Sequence, residues 1–241
     1  MDSNKKTAIN LQKFSGFSAL YLAASHLIGM ILYIVVLDYL SMTNPAQRVA
    51  LIVEKQMVIF STNLIMYVFF GVFLIILSLA LYDRLKYGAQ AIMQVATMIG
   101  IIWAGSLIAS GMVANAGIAP VVTLYAKDPV QAALSWQGIE SVANGLGNAN
   151  GEILGGLWVL LVSLAALRTS GLPKVLNILG LLVGAVGIIS IIPGLTDLMT
   201  GVFGATQIIW FIWLGIVLIR SNPSETSAIA PGLQKDINQG K

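Results

Sequence analysis

A single histidine, His26, is the side chain best suited to proton transfer or metal ligation, and no cysteine accompanies it. That combination leaves bis-histidine haem, multi-histidine metal sites, zinc-protease motifs, thiolate catalysis and iron–sulfur clusters without a ligand set. Met30 lies one turn from His26 on the same helical face, so the pair cannot grip a haem from opposite sides. Ser25 points to a different face, which counts against a Ser-His-Asp site recruiting His26. No lysine falls inside an apolar stretch, as a retinal Schiff base would need, and no closely spaced arginines mark a voltage sensor. The Gly-rich segment 145–156 lacks the Lys-Ser/Thr ending of a phosphate loop. No metal and no cofactor is expected.

What chemistry remains is polar recognition inside apolar surroundings. His26, Asn63, Asn115, Asn148, Glu152, Asp197 and Gln207 all fall in or at the ends of long apolar stretches. By helix rise, His26 lies about 18 Å above the start of its stretch. Asn63 reaches a similar depth from the opposite direction, and Asn115 stands near the end of the third stretch. Asn148, Asn150 and Glu152 open the fourth, Asp197 closes the fifth, and Gln207 lies early in the sixth. The other end offers Gln94, Thr97, Ser163 and Asn177, none ionisable. Polar side chains are costly in lipid, so each must face other helices or a wet cavity. Six helices placing polar groups at one end suggest an outward-opening pocket. The plainer alternative is that these residues anchor loops and cap helix ends.

The stretches that position them are long enough to cross a bilayer, which takes about 20 apolar residues. Six of them occupy most of the 241 residues: 14–40, 58–82, 91–122, 148–167, 175–195 and 202–219. Asn115 and Pro120 interrupt the third, so residues 91–114 are read as its crossing and the rest as an extension above the surface. An apolar fraction of 57%, a charged fraction of 10% and a mean hydropathy of +0.87 suit a polytopic membrane protein. The fold class expected is all-α: a six-helix transmembrane bundle over residues 14–220, a cytoplasmic segment at 1–13 and a disordered tail at 221–241.

Orientation follows from the basic residues. Lys5, Lys6, Lys13, Arg84, Lys86, Arg168, Lys174, Arg220, Lys235 and Lys241 share one side, leaving Arg48, Lys55 and Lys127 on the other. The positive-inside rule places both termini in the cytoplasm. Tyr82 and Tyr87 suit the inner surface; Tyr39, Tyr125 and Trp136 suit the outer one. Trp103, Trp158, Trp210 and Trp213 lie deeper, as packing or lipid-facing side chains. The first apolar run is too long for a signal-peptide core and reads as an uncleaved span. The basic pI near 9.2 is explained by the inner rim, so no nucleic-acid partner is needed.

Both outer connections look folded. Asn44-Pro45 and Asp128-Pro129 each pair an N-cap with proline at the first helical position. They predict short amphipathic helices, the second with Val130, Ala133, Leu134 and Val142 on one apolar face. Gly147, Gly151 and Gly155, then Gly180 and Gly184, and Gly100 with Ala104, form small-residue stripes for close helix packing within the bundle.

Several of these marks resemble an uncharacterised family of bacterial six-span membrane proteins, known only as a domain of unknown function. They are the start Asn4-Lys5-Lys6-Thr7-Ala8, the inner turn Leu81-Tyr82-Asp83-Arg84-Leu85-Lys86, the turn Gly171-Leu172-Pro173-Lys174-Val175-Leu176, and a last helix with Trp213 ending in Ile219-Arg220. The resemblance implies a six-span bundle in the bacterial cytoplasmic (inner) membrane and transfers no activity or site residue. Three functions compete on the residues alone. One is binding or transport of a small amphipathic or lipid-like ligand from the outer side. Another is a non-catalytic accessory subunit of a larger membrane complex. The third is an enzyme using Glu152 or Asp197 as acid or base.

Overall fold

The computed structural model describes residues 2–147 and 152–221, with side chains from residue 13 onward. Every regular element among them is helical. Helix α1 (Asp2–Met30) passes into a π-helical segment, Ile31–Val36, and then a 3-10 turn, Tyr39–Ser41. Helix α2 (Pro45–Asn63) starts where the Asn44 side chain accepts a hydrogen bond from the Ala46 amide at 2.9 Å. A second π-helical segment, Leu64–Phe69, joins it to α3 (Phe70–Tyr125). Helix α4 (Pro129–Leu146) is capped by Asp128, which accepts from the Gln131 amide at 3.0 Å. Then come α5 (Ile153–Thr169), α6 (Lys174–Ile189) and α7 (Thr196–Arg220). Helices α2 and α4 begin at the expected Asn-Pro and Asp-Pro steps.

Three helical stretches are long and apolar enough to cross a membrane: Lys13–Val36, Pro45–Tyr125 and Thr196–Arg220. Ile153–Thr169 and Lys174–Ile189 are shorter apolar helices. The chain is thus an all-helical protein with the long apolar helices expected of a membrane protein. The 81-residue stretch is not one rod. Backbone at Tyr87, Gly88 and Ala89 leaves the helical region, with Gly88 at φ 100°, a value that favours glycine. The arms fold back antiparallel: Gly111 lies on Tyr67, Gly71 on Ile108 and Ala104, and Gly100 on Ser78. The end of the first α3 arm packs against the α5–α6 turn, with Arg84 Nε donating to the Gly171 carbonyl at 3.1 Å.

Two cores follow from this path. The larger gathers Leu22, Phe70, Leu74, Trp103, Trp158, Val162, Val183, Phe203, Trp210 and Phe211 from α1, α3, α5, α6 and α7. The expected packing role of the deep tryptophans holds for Trp103, Trp158 and Trp210, all buried. Glycine stripes lie between helices of the same chain: Gly156 of α5 meets backbone of Gly184, Gly187 and Ile188 in α6, and Gly16 of α1 meets Gly215 of α7. The smaller core is a cap built by the first part of α2, the end of α3 and α4, around Leu37, Tyr39, Val49, Ile52, Ile118, Val121, Ala132 and Trp136. Ser110 Oγ donates to the Ala143 carbonyl at 2.7 Å, and Ser106 Oγ to that of Leu146, laying α4 antiparallel along α3.

The structure corrects several boundaries. Helix α3 runs unbroken through Asn115 and Pro120, because α2 and α4 pack against its extension and keep it folded. Residues 190–195 are turns around Gly194 at φ 87°, so α6 ends at Ile189 and α7 begins at Thr196. Asp197 therefore opens the last helix instead of closing the one before, and Gln207 lies about three turns into it. In α4, Val130, Leu134 and Val142 do share a face, but that face is exposed; Ala132, Ala133, Trp136 and Ala143 are buried instead. Small alanines let α4 approach α3, which bulky side chains would prevent. Tyr39 and Trp136 are buried in the cap core. The fourth apolar run's start, with Asn148, Asn150 and Gly151, lies outside the described residues, as does the tail beyond Ser221.

Candidate functional site

The polar residues singled out by sequence fall into two groups. The first is a hydrogen-bonded relay between α1, α2 and α3. Tyr33 donates to Asn63 Oδ1 at 2.7 Å, Asn63 Nδ2 donates to Asn115 Oδ1 at 2.9 Å, and Asn115 Nδ2 donates to the Phe60 carbonyl at 3.2 Å. Asn63 is buried, so its amide needs both partners. Asn63 and Asn115 meet because the hairpin of α3 returns that arm beside the end of α2. Tyr33 was not among the sequence candidates, although it lies two turns beyond His26 on the same helical face.

The second group lies at the cap-side end of the larger core. His26 points its Nε2 at Gly204 of α7: a Cβ on that glycine would lie 3.7 Å away. Its ring meets Phe70 edge-on, with centroids 5.7 Å apart. Glu152 stands immediately before α5, where its backbone N–H donates to Ser190 Oγ at 2.8 Å. Its carboxyl lies within electrostatic reach of Tyr67, and Tyr67 within reach of Tyr33. Gln207 is 1% exposed, and neither atom of its amide has a hydrogen-bond partner among the described residues. Thr200 Oγ1 and Trp103 Nε1 are likewise buried without a partner. Asp197, in contrast, is exposed on the first turn of α7, and Asn148 lies outside the described residues.

Tyr67 and Thr200 each precede an aromatic residue by three positions, Phe70 and Phe203, and Glu152 likewise precedes Gly155, which packs against the rings. A Cβ at Gly155 would lie 2.8 Å from Trp103 and 3.0 Å from Phe203. Phe70 contacts Trp103 and Phe211, at 5.8 and 6.2 Å between centroids. A polar layer thus stands directly outside an aromatic one, with Gln207 a turn deeper. Among the described residues no three His, Asp or Glu side chains stand together as a metal cage requires.

The cap holds its own polar network, separate from this site. Arg48 Nη1 pairs with Glu140 at 2.9 Å, and its Nε donates to the Met42 carbonyl at 2.8 Å. Tyr39 donates to Glu140 Oε1 at 2.9 Å and accepts from Trp136 Nε1 at 3.0 Å. Tyr39 lies beyond the first apolar helix, which stops at Val36. Burial, reinforced by Glu140, pushes its phenol above its ordinary range. At the opposite end of the molecule the Asp83 hydrogen bond raises Lys86, an exposed contact of little energetic consequence. An open groove of about 580 Å³ lies at the cap's tip, lined by Ala119, Pro120, Thr123, Leu124 and Lys127; none of the sequence candidates lines it.

Fold and site together define an all-helical protein with long apolar helices and a buried polar layer beside an aromatic one. In comparisons with known proteins no family model, no curated protein and no solved structure matches the chain.

Proposed function

We propose that the chain is a six-span protein of the bacterial cytoplasmic membrane, both termini inside, that binds or carries a small amphipathic or lipid-like ligand from the outer side. The six crossings are residues 13–36, the two arms of the α3 hairpin with the end of α2, and α5, α6 and α7. The basic residues at the α3 turn and the α5–α6 turn support the orientation. The same layout suits the uncharacterised six-span family that the sequence resembles. The observation that carries the ligand reading is Gln207: a fully buried amide without a partner, set behind aromatic rings and polar side chains. Such a group costs about 1–3 kcal/mol unless something satisfies it. An aromatic layer meeting a polar one suits a molecule with an apolar body and a polar end.

A second reading, an accessory subunit of a larger complex, is favoured by the exposed apolar face of α4, where Val130, Leu134 and Val142 are 72%, 64% and 55% exposed. Extraction in a mild neutral detergent followed by native mass spectrometry separates the two. A bound lipid-like mass supports the ligand reading, and a stoichiometric partner chain supports the accessory subunit. A clean apo-protein with neither argues against both.

A further inference from the structure

We infer that the six apolar helices are three copies of one helix pair around a pseudo-three-fold axis, and that these pairs are rigid units which move against one another. The inference rests on the six-span reading above and needs no ligand. The units are the two arms of α3, then α5 with α6, then α7 with α1. In the leading helices, Leu77, Ser78 and Leu81 of the first α3 arm are buried, as are Val162, Ser163 and Ala166 of α5. Leu214, Gly215 and Leu218 of α7 repeat that spacing and are again buried. The second helices repeat another buried set: Gly100, Trp103 and Leu107; Gly180, Val183 and Gly187; Gly16, Ala19 and Ala23. The pairing repeats as well. A Cβ at Gly100 would meet Ser78, one at Gly180 would meet Ser163, and one at Gly16 would lie 3.0 Å from the Gly215 carbonyl oxygen. The local sequence agrees, with Ser-Leu-Ala at 78–80 and again at 163–165. No fixed period betrays the repeat, because the third unit takes its second helix from the start of the chain.

Each unit is sealed backbone against backbone. A Cβ at Gly71 would lie 2.7 Å from the Ala104 carbonyl oxygen, one at Gly156 2.8 Å from that of Gly184, and one at Gly215 2.9 Å from that of Gly16. Contacts that close leave the two helices of a unit no room to slide. Between units the repeated contact is an aromatic side chain at one place in each leading helix: Phe73, Trp158 and Trp210. Phe73 lies against Tyr21 of α1, with ring centroids 4.2 Å apart. Trp158 reaches the second α3 arm, its Nε1 2.6 Å from a Cβ built at Gly100, and Trp210 reaches α6, its Nε1 2.7 Å from one built at Gly180. Ser78 Oγ faces the first of these points and Ser163 Oγ the second. Each indole N–H thus stands beside a serine hydroxyl across a glycine. All four atoms are buried without a hydrogen-bond partner among the described residues. An indole N–H donates and a serine oxygen accepts, so each pair is complementary, and leaving it unjoined is costly. Two such pairs at equivalent places mark one position of a joint. In the other position, a shift of unit against unit closes both N–H···Oγ bonds.

The test uses the full chain in nanodiscs of neutral phosphatidylcholine, with isotope-labelled indole N–H groups followed by relaxation dispersion, which reads microsecond-to-millisecond exchange. Trp158 and Trp210 are expected to exchange between two N–H environments at one common rate. Trp136, whose N–H donates to Tyr39 at 3.0 Å, is the static control. Ser78→Ala removes the acceptor beside Trp158 and should quench exchange there, and Ser163→Ala should do the same at Trp210. Gly29 of α1 lies on Met66, just before the first α3 arm. An oxidised Gly29→Cys/Met66→Cys pair in this cysteine-free chain therefore ties the third unit to the first, and should stop exchange at both tryptophans until it is reduced. Static N–H groups at Trp158 and Trp210, or exchange that survives the serine changes or the cross-link, would overturn the moving joint. Exchange at one tryptophan alone, or at unrelated rates, would break the equivalence of the units. Each of these failures leaves the ligand reading standing, because no bound molecule enters the measurement.

Discussion

A close backbone approach between α5 and α6 gives a sharp test of what holds the bundle together. A Cβ at Gly156 would lie 2.8 Å from the Gly184 carbonyl oxygen, 2.8 Å from the Ile188 nitrogen and 2.9 Å from the Gly187 carbonyl carbon. All three are backbone atoms, so none can rotate aside. Gly156→Ala must therefore move α5 away from α6 by roughly 0.5–1 Å, and a gap of that size forfeits a quarter to a half of each dispersion contact along the crossing. In lipid no hydrophobic force between helices compensates, because the surroundings are as apolar as the interface. Overpacking costs about 1–3 kcal/mol, and rigid neighbours put this site at the upper end. Alanine returns about 1 kcal/mol of helix propensity, leaving a net loss of about 2 kcal/mol. For a chain of this size that lowers Tm by about 4–8 °C. Gly105 is the control: a Cβ there meets nothing within 4 Å, so Gly105→Ala keeps only the propensity gain and should raise Tm slightly. Tryptophan fluorescence during thermal unfolding in a neutral detergent reads both. If Gly156→Ala matched Gly105→Ala, the close α5–α6 crossing would be wrong.

Three further outcomes are expected. Tyr39→Phe removes the acceptor of the buried Trp136 N–H and a donor to Glu140, at a cost of about 1–3 kcal/mol in the cap; limited proteolysis of the α3–α4 connection should accelerate, and an unchanged rate would refute the network. Because burial raises the Tyr39 phenol above its ordinary value near 10, its contribution is complete below about pH 10 and is lost as pH climbs further; Tyr39→Phe should lessen that alkaline loss in hydrogen exchange of α4, whereas an identical pH profile would argue against it. Reporter fusions at Lys86 and Lys174 should read as cytoplasmic and a fusion at Lys127 as external, and an external Lys86 would overturn the proposed topology.

Local signals were readable where a single physical preference decides the outcome. Asn44-Pro45 and Asp128-Pro129 start helices because the cap side chain and the missing proline N–H act within one turn. The stretch from Ser190 to Leu195 was misplaced because hydropathy averages over a window and does not register the Pro193-Gly194 turn inside it. The α4 face was reversed for another reason. Periodicity shows that Val130, Leu134 and Val142 align, but not whether bulky or small residues will meet α3. Asn63 and Asn115 were legible as polar groups at one end, since depth along a helix follows from counting. Their partner Tyr33 was not, because a tyrosine within an apolar run reads as one more hydrophobic side chain. Asp197 failed with the boundary that placed it.

The relay between α1, α2 and α3 lies where the helices are least regular. The π-helical segment 31–36 reaches the end of α2, where Tyr33 donates to Asn63, and the segment 64–69 lies against α1, where Met66 meets Gly29. Tyr21 of α1 donates to the Ile65 carbonyl at 3.2 Å, within the second segment, where the altered backbone frees an acceptor. A π turn carries an extra residue and poorer hydrogen bonding than an α turn, so it persists only where neighbours compensate for it. Here the compensation is the Tyr33–Asn63–Asn115 chain, which runs from the cap's supporting helices to the outer edge of the aromatic layer. An ordinary α-helical seam filled with leucine would hold α1 against α2 without buried amides to satisfy. Irregular backbone and the buried Asn63 amide at the junction therefore mark polar contact between α1, α2 and α3 as what the fold preserves.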